Sequence, residues 1–141
     1  MRLFLVASVM LAACGSASGA SRGIFRHAGS QGWTLISTPY ALDEVRANLG
    51  DFPPAASAEW VRLRQQVLVM DDVLTVDRPV VFPAGKDRPI LFSALAWSDI
   101  LLTLDRNDFA RLPGRSFYEL GVMKPGQFLR QEREAGRLAA L

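Results

Sequence analysis

A chain of 141 residues, half of them apolar and 21% charged, is long enough to bury the core of one domain and too apolar to stay unfolded. The formal net charge of +2 and a pI near 9.1 lean only mildly toward a polyanionic partner. A single cysteine, Cys14, excludes an internal disulfide and a thiolate zinc site, and a single histidine, His27, excludes a histidine-built metal cluster; a metal ion in this chain has oxygen ligands, which selects Mg2+ or Mn2+.

The chain opens on a continuous apolar run, RLFLVASVM, expected as a parallel strand from Leu3 to Val9 covered on both faces. Read on to Leu11-Ala12-Ala13-Cys14 behind Arg2, the same stretch has the form of a lipoprotein signal with its cleavage box. The strand is preferred, because the run is short for a signal and the remaining pattern lacks a central strand without it. GSASGASRG reads as a small, polar loop, followed by a helix through ASRGIFRHAG, with Ser18 or Ser21 as its cap and Gly29 as its stop. WTLIST is the second strand. Thr38 and Pro39 then predict the N-cap and first residue of a helix running to Leu49, with Tyr40, Glu44 and Ala47 near one face and Leu42, Val45 and Leu49 near another.

GDFPPAAS is a break, AEWVRLRQQ a helix, VLVMDDVLTV a strand or a strand with a turn, and DRPVVFPAGK a loop. Asp87 leads a helix with Pro89 in its first turn and an apolar stripe of Ile90, Leu91, Ala94 and Leu95. DILLTL is a buried strand ending at Asp105, RNDFARLPGR a loop, FYELGVMKP the site of a short last strand, and GQFLRQEREAGRLAAL a polar C-terminal helix. Strands and helices alternate, which predicts an α/β fold, a three-layer α/β/α domain with a central parallel sheet, over residues 1–141, its tail from about residue 130 free to move. No further segment is long and apolar enough to span a bilayer, so no membrane partner is expected.

In an open parallel sheet, ligands bind beyond the carboxyl ends of the strands. Glu44, Asp87 and Asp105 all fall at or just after such ends. Three carboxylates converging on one cleft repel one another, and a divalent cation relieves that repulsion while orienting and activating a water for phosphodiester hydrolysis. Each has an ordinary alternative: a solvated helix residue for Glu44, a helix-start residue favoured by the dipole for Asp87, turn residues for Asp105 and Asp108. Only the joint pattern points to a site. Ser8 near the first strand, and Arg22, Arg26, Arg62, Arg64, Arg106, Arg111 and Arg115, are candidates for contacts to a phosphate or, more ordinarily, caps and solvated surface. Trp33, Trp60 and Trp97 are expected in packing, and Cys14 as a buried small apolar residue.

The ordered set STPYALDEVRANL, KDRPILFSALAW, LLTLDRNDF and LGVMKPGQFLRQ resembles the PIN domain family, the metal-dependent ribonuclease fold of many toxin–antitoxin toxins. The resemblance implies a cytoplasmic ribonuclease that hydrolyses RNA phosphodiesters. Glu44, Asp87 and Asp105 would be its catalytic and metal-binding residues, Asp108 an auxiliary ligand, and Mg2+ or Mn2+ its cofactor; Ser8, Arg22 and Arg106, by residue type and position, are then the candidate substrate contacts. It also implies an antitoxin-type protein partner and a homodimer. One position departs from the family: where its first strand ends in a metal-binding aspartate, this chain has Val6. A catalytically inactive binding module and an exported lipoprotein are the alternatives.

Overall fold

The computed structural model describes residues 1–73, 88–104, 116–117 and 120–139. Its centre is a six-stranded sheet of β1 (Arg2–Leu5), β2 (Thr34–Ser37), β3 (Val67–Val69), β4 (Ile100–Leu102), β5 (Ser116–Phe117) and β6 (Leu120–Met123), in the order β3-β2-β1-β4-β6-β5. Five strands are parallel; β5 closes one edge antiparallel to β6. β1 lies inside the sheet, Leu3 opposite Leu35 on one side and Ile100 on the other. Leu3, Phe4 and Leu5 are fully buried, which is why this strand reads as an unbroken apolar run.

Among the described residues, six helices cover the sheet: α1 (Ala7–Gly15), α2 (Ala20–Gln31), α3 (Pro39–Asn48), α4 (Pro54–Arg64), α5 (Arg88–Trp97) and α6 (Pro125–Glu134). From β1 to β3 the chain steps one way across the sheet and from β3 to β4 it steps back, so right-handed crossovers put the intervening helices on opposite faces. The contacts agree: α1 packs on α2, α3 and α4, and α2 on α6, whereas α5 packs on β1 and meets α3. The expected three-layer α/β/α architecture is the one observed.

Local differences from the sequence expectation have physical causes. The first strand ends at Leu5 rather than Val9, and residues 7–15 are helical. That helix is buried at Ala7, Val9, Met10, Ala13 and Cys14, but its less buried positions are small or apolar as well, so the run shows no apolar–polar period in sequence to separate it from a strand. α2 runs past Gly29 to Gln31 and is closed by Gly32 at φ 71°, with the Trp33 amide reaching back to the Ala28 carbonyl at 3.0 Å. Its N-cap is Gly19, without a side-chain bond, so neither Ser18 nor Ser21 caps it; Ser21 is buried instead. α4 starts at Pro54, inside the expected break, after a single 3-10 turn at Leu49–Asp51.

α5 buries Ile90, Leu91 and Ala94 as its spacing predicts. α6 buries Pro125, Phe128, Leu129 and Glu132, and the Phe128 ring meets Trp33 edge-on with centroids 4.9 Å apart. Beyond α6 the chain turns at Gly136, φ 77°, so that Arg137 Nε donates to the buried Glu132 carboxylate at 2.8 Å and Leu138 is buried. The segment RLFLVASVMLAAC therefore builds the inner strand and a core helix of this fold.

Candidate active site

The carboxyl ends of β1, β2, β3 and β4 lie side by side, and each hands the chain to a turn or helix there. Val6 follows β1 in an extended conformation and occupies the N-cap of α1, with no side chain able to cap it. Its amide donates to the Leu102 carbonyl at 3.4 Å, and its own carbonyl accepts the Val9 and Met10 amides at 3.2 and 3.3 Å. Its side chain is 8% exposed, so an apolar group stands where β1 and β4 both end. Two residues on, Ser8 Oγ accepts the Leu104 amide at 3.4 Å, which holds the chain leaving β4 against the first turn of α1. Asp105 follows Leu104 in sequence but lies outside the described residues, as do Asp87, Arg106 and Asp108.

Glu44 is carried by α3. Pro39 occupies the first turn and Thr38 the N-cap backbone position, as expected, and Ala41, Leu42 and Val45 form the buried face. Glu44 sits one turn after Tyr40 on the opposite, exposed side, and α3 packs on α1. The cap itself differs from expectation. Thr38 Oγ1 is fully buried without a hydrogen-bond partner, and the Tyr40 amide is instead bound by Asp72 Oδ2 at 3.1 Å.

Asp72 belongs to a strap, residues 70–73, that joins the site elements. The Met70 amide donates to the Ser37 carbonyl at 2.9 Å, Trp97 Nε1 donates to the Asp71 carbonyl at 2.9 Å, and the Val73 amide donates to Ser93 Oγ at 2.9 Å. The strap thereby fixes α3, with Glu44, to α5, the helix that begins one residue after Asp87. Sequence reasoning read VLVMDDVLTV as a strand or a strand with a turn and gave Asp72 no role, whereas β3 ends at Val69. The available signal was the Asp71-Asp72 pair itself, since two adjacent carboxylates do not fit a covered strand.

Arg22 is placed elsewhere. Its Nε donates to the Ala13 carbonyl at 2.6 Å and its Nη1 pairs with Glu59 on α4 at 3.0 Å. Ala13 is near the far end of α1 from Ser8, about 7.5 Å along the axis. Arg62 also pairs with Glu59, at 2.5 Å; that hydrogen bond first, and the charges of Arg62 and Arg22 after it, hold the Glu59 carboxyl below its ordinary range. Among the described residues, no group of three His, Cys, Asp or Glu side chains is arranged to hold a metal ion. None of the described helices is long and apolar enough to cross a membrane.

No protein-family model and no curated protein matches the chain. Among solved structures it is similar to a chain of the crystal structure of VapBC2 from Rickettsia felis bound to a DNA fragment from their promoter, at a TM-score of 0.61 and 12% sequence identity, over 86% of this chain and 97% of that one. At that identity the likeness is one of fold alone: both are three-layer α/β/α domains around a central, mainly parallel sheet.

Proposed function

We propose that this chain is a PIN-like metal-dependent ribonuclease that hydrolyses RNA phosphodiesters, a toxin-type component whose activity is impaired by Val6. The observation that carries the reading is the junction at the carboxyl end of the sheet. There Ser8 on α1 binds the backbone just before Asp105, and the 70–73 strap ties the helix bearing Glu44 to the helix that follows Asp87. Glu44, Asp87 and Asp105, with Asp108 beside them in sequence, are hard oxygen donors suited to Mg2+ or Mn2+, and Val6 offers no donor. The ion, when bound, supplies an activated water and a counter-charge for the leaving oxygen. The chain's own part is to hold Glu44 on a helix capped by Asp72, to fix the exit of β4 through Ser8, and to seat the substrate phosphate near Ser8 and Arg106. An antitoxin-type protein partner, a homodimer and a cytoplasmic location belong to the same reading.

A second reading, a catalytically inactive binding module, is favoured by one specific observation: Val6 is buried, apolar and built into the backbone bonding between β1, β4 and α1. An RNA cleavage time course with Mn2+ and with Mg2+, on the native chain, Val6→Asp and Glu44→Gln, separates the two. Slow cleavage by the native chain, faster with Val6→Asp and lost with Glu44→Gln, is expected. Cleavage by Val6→Asp alone establishes the binding module, and cleavage by none of them removes the ribonuclease reading.

A further inference from the structure

On the far side of α1 from Ser8, a cleft of about 400 Å³ opens between α2 and α4, lined by Arg22, Arg26, Arg62, Gln66, Phe25 and Leu63, with Ala17 at its edge. Its size is that of a ligand site. Three arginines from two helices enter it, and the carboxylate that pairs there is Glu59, shared between Arg22 at 3.0 Å and Arg62 at 2.5 Å. Arg26 is exposed and has no hydrogen-bond or ion-pair partner among the described residues. Three positive charges against one negative leave the cleft cationic, and a guanidinium fork without a partner suits a phosphate oxygen pair.

The lining decides between anionic ligands. Phe25 and Leu63 are 2% and 3% exposed, so the large apolar side chains of the lining are already consumed by the core, and the groups left to meet a ligand are the three arginines with their aliphatic stems, Gln66 and Ala17. A protein partner is anchored by large apolar side chains at the centre of its interface, and this cleft presents none that is still exposed; a nucleic-acid backbone needs only the charges. The position agrees. Arg22, which walls the cleft, is bonded to Ala13, five residues along α1 from Ser8, so the cleft and the mouth at Ser8 flank the same short helix.

We propose that the arginine cleft between α2 and α4 is a phosphate-binding exosite that holds the backbone of an RNA strand outside the mouth at Ser8. For the identity of the ligand it rests on the ribonuclease reading. Arg26 is the principal contact, Arg62 the second, and Arg22 the fixed wall that sets their spacing.

The test is binding of a fluorescein-labelled single-stranded RNA of about a dozen nucleotides to the full chain by anisotropy, in EDTA to prevent cleavage, across a salt series. Each lost phosphate contact flattens the log–log salt slope by about 0.7, so Arg26→Ala with Arg62→Ala is expected to flatten it by about 1.4 and to weaken binding by about tenfold or more at low salt. Arg26→Lys keeps the charge and is expected to keep the slope, and Arg130→Ala, an exposed arginine on α6, is expected to leave both readings unchanged. An unchanged slope in the double variant overturns the exosite, as does an equal loss with Arg130→Ala, absence of RNA binding by the native chain, or a preference for poly-glutamate over RNA. Circular dichroism establishes that Arg26→Ala is folded. The two readings fail separately: Glu44-dependent cleavage with an unchanged salt slope removes only the exosite, and a flattened slope without cleavage by any variant removes only the ribonuclease.

Discussion

The Asp72 carboxylate accepts the Tyr40 amide at 3.1 Å across 32 residues of chain, and so caps a helix whose own threonine does not. Thr38 stands in the N-cap position with its Oγ1 fully buried and unpartnered. A carboxylate brought from the end of β3 thus meets the positive end of the α3 dipole in place of the residue that local sequence nominates.

This inverts the usual expectation for the two residues. Asp72→Ala is expected to lower stability by about 1–2 kcal/mol, because it strips a first-turn amide of its partner and loosens the 70–73 strap. Thr38→Val removes a hydroxyl that bonds to nothing and is expected to cost less than ~0.5 kcal/mol or to stabilise slightly. Urea denaturation of both variants decides the order. A costlier Thr38→Val establishes the local cap and removes the distal one.

At the amino end of the central strands, opposite the carboxyl ends that carry the candidate site, Asp99 fastens the start of β1. It accepts the Arg2 amide at 2.8 Å and the Arg2 guanidinium at 3.3 Å. The amide bond first, and the guanidinium after it, hold the Asp99 carboxyl below its ordinary value against the opposing effect of partial burial. A lowered folded pKa means that the ionised form is favoured by folding. The contribution is therefore complete above an unfolded pKa of about 3.9, and is lost as pH falls through the lower folded value. With the side chain 47% exposed, solvent screening keeps it under about 1 kcal/mol. Thermal melts from neutral pH down to about pH 3 are expected to show a steeper acid loss for the native chain than for Asp99→Asn, with the two curves converging at the acid end. Parallel curves remove the linkage.

Much of the fold was legible because the sheet is parallel and covered. Leu3–Leu5, Leu35–Ile36 and Leu101–Leu102 are continuous apolar pairs or triplets, and Pro39 marks a helix start by geometry that needs no tertiary partner. What was not legible is tertiary. The helical state of residues 7–15 depends on packing against α2, α3 and α4, and its outer positions, such as Leu11 and Ala12, are apolar too, so no polar face shows a period. The capping role of Asp72 depends on β3 and β2 being neighbours, and the diversion of Arg22 to Glu59 depends on α4 lying beside α2. β5 has two residues and is held by its register against Gly121 and Leu120, too short a stretch to carry an alternation. Of the candidate site residues, Ser8 is found at the exit of β4 and Glu44 on the exposed side of α3; Asp87, Asp105, Arg106 and Asp108 lie outside the described residues.

Cys14 gives a direct measure of how firmly α1 is packed. The residue is 5% exposed, and burial pushes its thiol up to about 11, with Arg22 pulling the other way. At pH 8 about a thousandth of the native thiol is ionised, against roughly a quarter of an unfolded one, and steric cover slows attack further. A disulfide reagent is therefore expected to titrate the thiol at least about a hundredfold more slowly in the native chain than in urea. Cys14→Ala is expected to be folded at a cost of about 1 kcal/mol. Native labelling as fast as in urea would show α1 detached from the core.

Val6 is where the two functional readings part, and its position makes an aspartate there physically informative. It is the N-cap of α1, a place where valine is among the poorest residues and aspartate among the best, so Val6→Asp gains about 1 kcal/mol from capping. The same substitution puts a carboxylate on a site that is 8% exposed, which costs a similar amount without a counter-ion. The two effects leave the metal-free variant within about 1 kcal/mol of the native chain. A divalent cation then removes the cost and keeps the gain: at a concentration about a hundredfold above its Kd it adds about 2.7 kcal/mol. Thermal melts with and without Mn2+ are therefore expected to diverge for Val6→Asp, to stay close for the native chain, and to close up again when Glu44→Gln is added to Val6→Asp. A Mn2+ shift of equal size in all three places the ion away from Val6 and Glu44, and the carboxyl end of β1 is then not the metal site.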